Sequence, residues 1–242
     1  MKNETMICIP GPWKDQAAFA QSVALQSNGA FTFAGRILAQ PEANDQITLE
    51  FSEPYTEMRQ AFEMAGQDTL TPEVLDQIES HQSAVYLRFP LDVVTQHKRM
   101  LTYTTLMREI GGYAVKIESS GIAHNWEDWQ DLIASDNPSY LYRCFVMLIG
   151  DKEEFHSCGM HHFGRPDCQI SRKTPPEEAA NILNRFNFYQ ITDKPDLKDG
   201  HTFSLSADSP TYQLSHIDDS RHKEDDFFKN TNGLWTLERV AT

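Results

Sequence analysis

Apolar residues along the chain switch between a period of two and a period near 3.6, and the switches divide it into strands and helices. Met6 to Ile9 is a short apolar run stopped by Pro10-Gly11-Pro12, which predicts a buried strand and a tight turn. Trp13, Ala17, Ala20 and Ala24 then recur at helical spacing, predicting a helix over Trp13 to Gln26 that Asn28-Gly29 closes. Ala30 to Ala39 and Gln46 to Phe51 read as strands, the second with Ile47, Leu49 and Phe51 inward and Thr48 and Glu50 outward. Two helices follow. Tyr55 to Ala65 puts Met58, Phe62 and Ala65 on one face, and Thr71-Pro72 opens the next with a cap residue and a proline at its first position. Ser83 to Phe89 is a buried strand, Leu91 to Ile110 a long amphipathic helix ended by Gly111-Gly112, and Tyr113 to Glu118 another strand. Asn125 caps a helix running through Ala134, with Asp128 placed to reach back as in a capping box.

Asn137-Pro138 interrupts this pattern and marks a boundary, giving an N-terminal α/β lobe over 1–136 and a more β-rich C-terminal lobe over 137–242. In the second lobe, Tyr140 to Ile149 and Phe155 to His162 flank Gly150-Asp151-Lys152-Glu153 as a hairpin. Thr174-Pro175-Pro176-Glu177 reads as a capping box for a helix to about Phe188. His201 to Ser206 pairs with Thr211 to Ile217, Asp218 to Asp226 is a mixed-charge loop, and Gly233 to Val240 is a closing strand. The expected fold is α+β, with mixed or mostly antiparallel sheets, covering helices and two closely packed lobes.

With 40% apolar residues, 14 Phe and 4 Trp in 242 positions, the chain has enough to bury a sizeable core. Its first residues lack a cleavage pattern and no run is long enough to span a bilayer, so a cytoplasmic protein is expected, and the triplet Asn3-Glu4-Thr5 carries no glycan there. Cys8, Cys144, Cys158 and Cys168 then read as reduced thiols. The formal charge is −14, and ten acids between Glu42 and Glu79 face Arg59 as the sole base of that segment. Scattered bases in an acidic chain argue against a nucleic-acid partner, since phosphate contact needs clustered Lys and Arg. Concentrated negative charge steers a basic protein instead.

The surface expected to bind such a partner comprises Glu53, Glu57, Glu63, Asp68, Glu73 and Asp76, joined by Glu127, Asp128 and Asp131 around Trp126 and Trp129. No cofactor is implied. A rival class is a hydrolase or metal-dependent enzyme built on segment 156–168. There a strand over Phe155 to His162 aligns His156, Cys158, Met160 and His162 on one face, and a turn at Gly164 to Pro166 returns Cys168 toward them. That spacing fits no standard zinc module, and packing is the simpler role. A Cys–His nucleophile and a Glu127/Asp131 acid–base pair are two further enzymatic options, each on ordinary spacing. Ile9-Pro10-Gly11-Pro12-Trp13 loses donors to its prolines and reads as structural punctuation.

Three stretches carry a resemblance: Ala114 to Gly121 leading into Trp126-Glu127-Asp128-Trp129, then Gly159-Met160-His161-His162-Phe163-Gly164-Arg165-Pro166-Asp167, then Asp199-Gly200-His201-Thr202-Phe203. In order and spacing, over roughly residues 83–240, they resemble an uncharacterised bacterial domain family of unknown function found near type VI secretion and polymorphic-toxin loci. The resemblance implies no catalytic residues. It implies an immunity, or antitoxin-like, protein that binds and neutralises a cognate toxin or secreted effector.

Overall fold

The computed structural model describes residues 4–223 and 226–240. The chain forms two compact units, one of residues up to Pro90 with Thr95–Ser135, the other of Leu91–Val94 with the residues from Asp136 on. Each is built on its own sheet with helices packed against it, so the fold is α+β.

The N-terminal unit contains β1 (Glu4–Gly11), α1 (Gln16–Gln26), β2 (Thr32–Ala34), β3 (Ile37–Gln40), β4 (Asp45–Ser52), α2 (Met58–Gly66), α3 (Pro72–Glu79) and β5 (Ser83–Pro90). It continues through most of α4 (Val93–Glu109), then β6 (Val115–Ile117), β7 (Ile122–His124) and α5 (Trp126–Ile133). Among the described residues its seven strands run β2-β3-β4-β5-β1-β6-β7, every neighbour antiparallel. β1 is central, which explains its continuous apolar run. Pro10 is tolerated there because β6 pairs only at Ile7 and Cys8, while the Pro10 backbone faces the β6 side beyond that pairing. Its missing N–H therefore removes no ladder bond.

Strand alternation splits the sheet into two faces. Ile7, Ile9, Leu49, Val85, Leu87 and Ile117 share one face with Phe89 and Phe51, which meet Tyr103 of α4 and Phe19 of α1. Cys8, Ala84 and Ala123 share the other, where these small side chains let Met58, Phe62, Leu75 and Ile78 of α2 and α3 pack closely.

The C-terminal unit contains α6 (Pro138–Phe145), β8 (Met147–Gly150), β9 (Glu154–Cys158), a 3₁₀ turn (Met160–Phe163), β10 (Asp167–Ser171), α7 (Pro176–Thr192), β11 (Thr202–Phe203), β12 (Tyr212–Ile217) and β13 (Leu234–Arg239). The sheet order is β11-β12-β13-β10-β9-β8, antiparallel except for the pair β10/β13. Ile182, Leu183 and Phe186 of α7 cover Cys168, Ile170, Leu214 and Leu237 on one face.

Several boundaries differ from the sequence reading. Trp13 precedes its helix, which Asp15 caps, and its buried ring donates Nε1–H to Ile110 O at 3.0 Å. Ala30 to Ala39 is the hairpin β2/β3, turned by Gly35 at φ 62°. Tyr140 to Ile149 is mostly helix, because Asn137 accepts from Ser139 N and Pro138 takes the first helical position. The same dipeptide that reads as a boundary is thus a helix start. The second unit's helix is capped by Pro175 without a side-chain bond, so Thr174 makes no capping box. Neither β7 nor β10 was foreseen in the pattern. Asn3, and Glu224 and Asp225 of the mixed-charge loop, lie outside the described residues. Among the described residues no helix is long and apolar enough to cross a membrane.

Candidate functional site

The acidic segment folds so that its carboxylates point outward. Met58, Phe62 and Ala65 of α2 and Leu75 and Ile78 of α3 take the inward positions, leaving Glu53, Glu57, Glu63, Asp68, Glu73, Asp76 and Glu79 exposed. Arg59, the local base, is consumed within the pair: it bridges to Asp76 at 2.6 Å and Glu79 at 3.0 Å, tying α2 to α3. Glu57 accepts from Tyr55 Oη. Among the described residues no base lies within ion-pair distance of Glu53, Glu63, Asp68 or Glu73. Glu73 sits in the first turn of α3, where its own backbone N–H and Thr71 hold its carboxyl below the usual range. Amid these acids stand Met64, 73% exposed, and Tyr55, 49% exposed.

Glu127, Asp128 and Asp131 belong to a different surface. Trp129 of α5 is fully buried and donates Nε1–H to Thr104 Oγ1 of α4 at 2.9 Å, which puts α5 on the α4 side of the sheet. α2 and α3 pack on the opposite face, so the structure separates the two acidic groups that the sequence reading joined. Trp129 is core and gives no aromatic hot spot. Trp126 is half-buried, its Nε1–H donating to Gly112 O at 2.7 Å. Asn125 caps the helix by accepting from Asp128 N at 2.9 Å, and its Nδ2 donates to Asp128 Oδ2, so one member of the expected surface is spent on the cap.

Segment 156–168 departs further from expectation. β9 ends at Cys158, and Gly159 at φ 120° turns the chain into the 3₁₀ turn. Met160 and His162 therefore leave the strand face they were expected to share with His156 and Cys158. A side chain at Gly159 would place Cβ 2.1 Å from Phe145 O, so only glycine fits. Cys168 does return beside β9: its N–H donates to Ser157 Oγ at 2.9 Å, and its thiol donates to Asn187 Oδ1 at 3.0 Å. Among the described residues no three of His, Cys, Asp and Glu converge in a metal-holding group. All four thiols are buried, and burial pushes their pKa values up. A nucleophilic thiolate needs the reverse, so the Cys–His option loses its physical basis.

What this segment does contain is a buried polar network centred on Asp167, the acidic position that ends the Gly-Met-x-x-Phe-Gly-x-Pro turn. Asp167 accepts from Ser157 Oγ at 3.0 Å, Met160 N at 3.2 Å and Asn230 Nδ2 at 2.7 Å. Burial outweighs these donors and pushes its carboxyl up to about 6. Asn230 N donates to Asp219, which also pairs with Arg221 at 3.3 Å. His161 stands beside this network with both ring nitrogens buried and no hydrogen-bond partner, and His156 Nδ1, 3.8 Å from Asp151 Oδ2, likewise makes no hydrogen bond. Burial lowers each of these histidines to about 4. Sequence reasoning missed Asp219, Arg221 and Asn230, which sit in polar loops that carry no periodic signal.

Residues 156–228 match the family model of a domain of unknown function (DUF4261). The matched stretch runs from β9 to the loop before β13 and contains His156, His161, Asp167, Cys168, Asp219 and Arg221, though neither Asn230 nor β13. No curated protein matches the chain.

Proposed function

We propose that this protein is a cytoplasmic binding protein of the immunity, or antitoxin-like, kind, which occludes a basic bacterial toxin or secreted effector with the outer surface of α2 and α3. The observation carrying this reading is that Glu63 and Glu73 on α2 and α3, with Glu57 at the start of α2, Glu53 in the segment before it and Asp68 in the connection between the helices, are exposed around a pair whose only base is already bridged to Asp76 and Glu79. Fixed carboxylates of this kind complement a basic groove and steer its approach, while exposed Met64 and Tyr55 supply apolar contact area among them. Glu127, Asp128 and Asp131 lie on the α4 side of the sheet and form no part of the same footprint. The setting near toxin and type VI secretion genes comes from the motif resemblance alone.

The test is titration of the wild type and of a Glu57→Lys, Glu63→Lys, Asp68→Lys, Glu73→Lys variant against the product of the adjacent gene at two ionic strengths. The variant should melt as the wild type does, because exposed charge changes cost about 0.5 kcal/mol or less each, yet bind more weakly by roughly two orders of magnitude. For the wild type, the association rate should fall as salt rises. Equal affinities for the two proteins would return α2 and α3 to an ordinary solvated surface.

A further inference from the structure

The C-terminal unit holds a cleft of about 220 Å³ at the starts of β10 and β13, beside the last turn of α7 and the segment that follows it. Three stretches far apart in the chain close it. Arg165 and Pro166 lead into β10, Gln190 lies in the last turn of α7 with Pro195, Asp196 and Leu197 after it, and Trp235 comes from β13. The frame is tied together, since Gln190, 2% exposed, donates Nε2–H to Pro166 O at 3.2 Å. Pro166, Pro195, Leu197 and the Trp235 ring make most of its walls apolar.

The polar groups of this cleft are unbalanced. Among the described residues no carboxylate lies within ion-pair distance of Arg165 and its guanidinium makes no hydrogen bond, although the residue is half-buried. Trp235 is 6% exposed, and among the same residues its indole N–H meets no acceptor and is not sealed from solvent. Asp196, the acid among the lining residues, has an exposed side chain and pairs with Lys198 at 3.4 Å, so water and a base screen its charge. Two donors without acceptors therefore line an apolar hollow. A donor held away from bulk water and left unpaired costs free energy that a bound acceptor relieves.

We infer that this cleft binds a small carboxylate carrying one compact apolar group, with the Arg165 guanidinium and the Trp235 N–H as donors to its oxygens. The guanidinium fork matches two oxygens set side by side, and the proline and tryptophan walls take an apolar body that inorganic sulfate or phosphate lacks. The volume sets the size: below the roughly 300–1,000 Å³ of pockets that hold drug-sized ligands, it admits one ring or branched side chain beside the carboxylate. The same chemistry comes from a free carboxylic acid or from the C-terminal residue of a peptide. The inference stands apart from the α2/α3 surface, whose residues belong to the other unit.

The test is titration of benzoate into isotope-labelled protein, read by nuclear magnetic resonance at the indole N–H of Trp235, whose signal a Trp235→Phe variant identifies by its disappearance. The signal should move to a saturating limit at millimolar benzoate. Benzamide, the neutral isostere, and acetate, which lacks the ring, should each bind about tenfold more weakly. Arg165→Gln should weaken benzoate by about tenfold or more at an unchanged melting temperature. Arg165→Lys keeps the charge and loses the fork, so it should bind several-fold more weakly than the wild type, and it replaces Arg165→Gln as the readout if that variant melts lower. No saturable movement of the Trp235 signal, equal binding of benzamide or acetate, or wild-type binding by the Arg165 variants would overturn the site. N-acetyl-glycyl-phenylalanine with a free C-terminus, titrated beside hydrocinnamate, distinguishes the sources: a tighter peptide supports a chain terminus, a tighter hydrocinnamate a free acid.

Discussion

Gly164 and Gly159 both hold positive φ, at 64° and 120°, but they restrain the chain differently. Around Gly164 nothing lies within 4 Å of an added Cβ, so a substitution there meets only backbone strain. Gly164→Val should lower stability by about 1–3 kcal/mol, read as a drop in melting temperature. At Gly159 the Phe145 carbonyl stands in the way, and even Gly159→Ala should cost more than Gly164→Val in the same assay. His161 supplies a pH signature. Its imidazole is held at about 4 against an ordinary 6.5, so its stabilising contribution is complete above 6.5 and is lost as pH falls toward 4. His156 behaves alike, and His162, lowered further, adds to the trend. Asp167 opposes them, because a carboxyl raised from 3.8 to about 6 favours the fold below 3.8 and loses that advantage as pH rises to 6. Three histidines outweigh Asp167 and Glu154, whose carboxyl burial also raises, so acidification from pH 6 to 4.5 should destabilise the protein. The charged and titratable groups facing His161 are Asp219, His222 and His162. Replacing His161 by Phe should flatten the dependence of unfolding free energy on pH by about 1.4 kcal/mol per unit in denaturant titrations across that window. A slope identical to wild type would mean that His161 titrates normally.

Among the elements, α2/α3 and α6 carry the clearest consequences. α2 is held by apolar burial, so Phe62→Ala should cost about 3–5 kcal/mol, whereas removing the Arg59 bridges by Arg59→Met should cost far less because Asp76 and Glu79 are largely exposed and water screens the pairs. The contrast, measured by chemical denaturation, separates what anchors the helical pair from what sets its charge. In α6, Asn137 caps the first turn by accepting from Ser139 N at 3.0 Å. Asn137→Ala should lower stability by about 1 kcal/mol, an effect a strand over Tyr140 to Ile149 would not produce. The hairpin β8/β9 survives the shift from strand to helix, since Gly150 still pairs with Phe155.

For the whole molecule, β9 ends at Cys158, Met160 and His162 leave its face, and the thiols are buried in packing, so the purified protein is expected to carry no stoichiometric transition metal. Elemental analysis finding about one zinc per chain, removed by Cys158→Ser, would reverse it. Residue pattern alone determined the α+β class, the capped starts of α3 and α5, the inward faces of α2 and β4, and the outward aim of the acidic segment. These are local properties, set by periodicity, cap chemistry and turn residues within a few positions. What tertiary structure decided depends on residues far apart in the chain. Trp126 and Trp129 look equivalent in sequence, yet Thr104 on another helix makes Trp129 core. Glu127 and Glu63 are alike in charge, yet strand alternation puts their helices on opposite faces of one sheet. The strand through His156 stops at Cys158 because Phe145 O leaves room only for a glycine turn, a contact between segments 14 residues apart. The Asp167 network joins Ser157, Asn230 and Asp219 across as many as 63 positions, and no local pattern encodes it, because hydrogen bonds between loops obey no period.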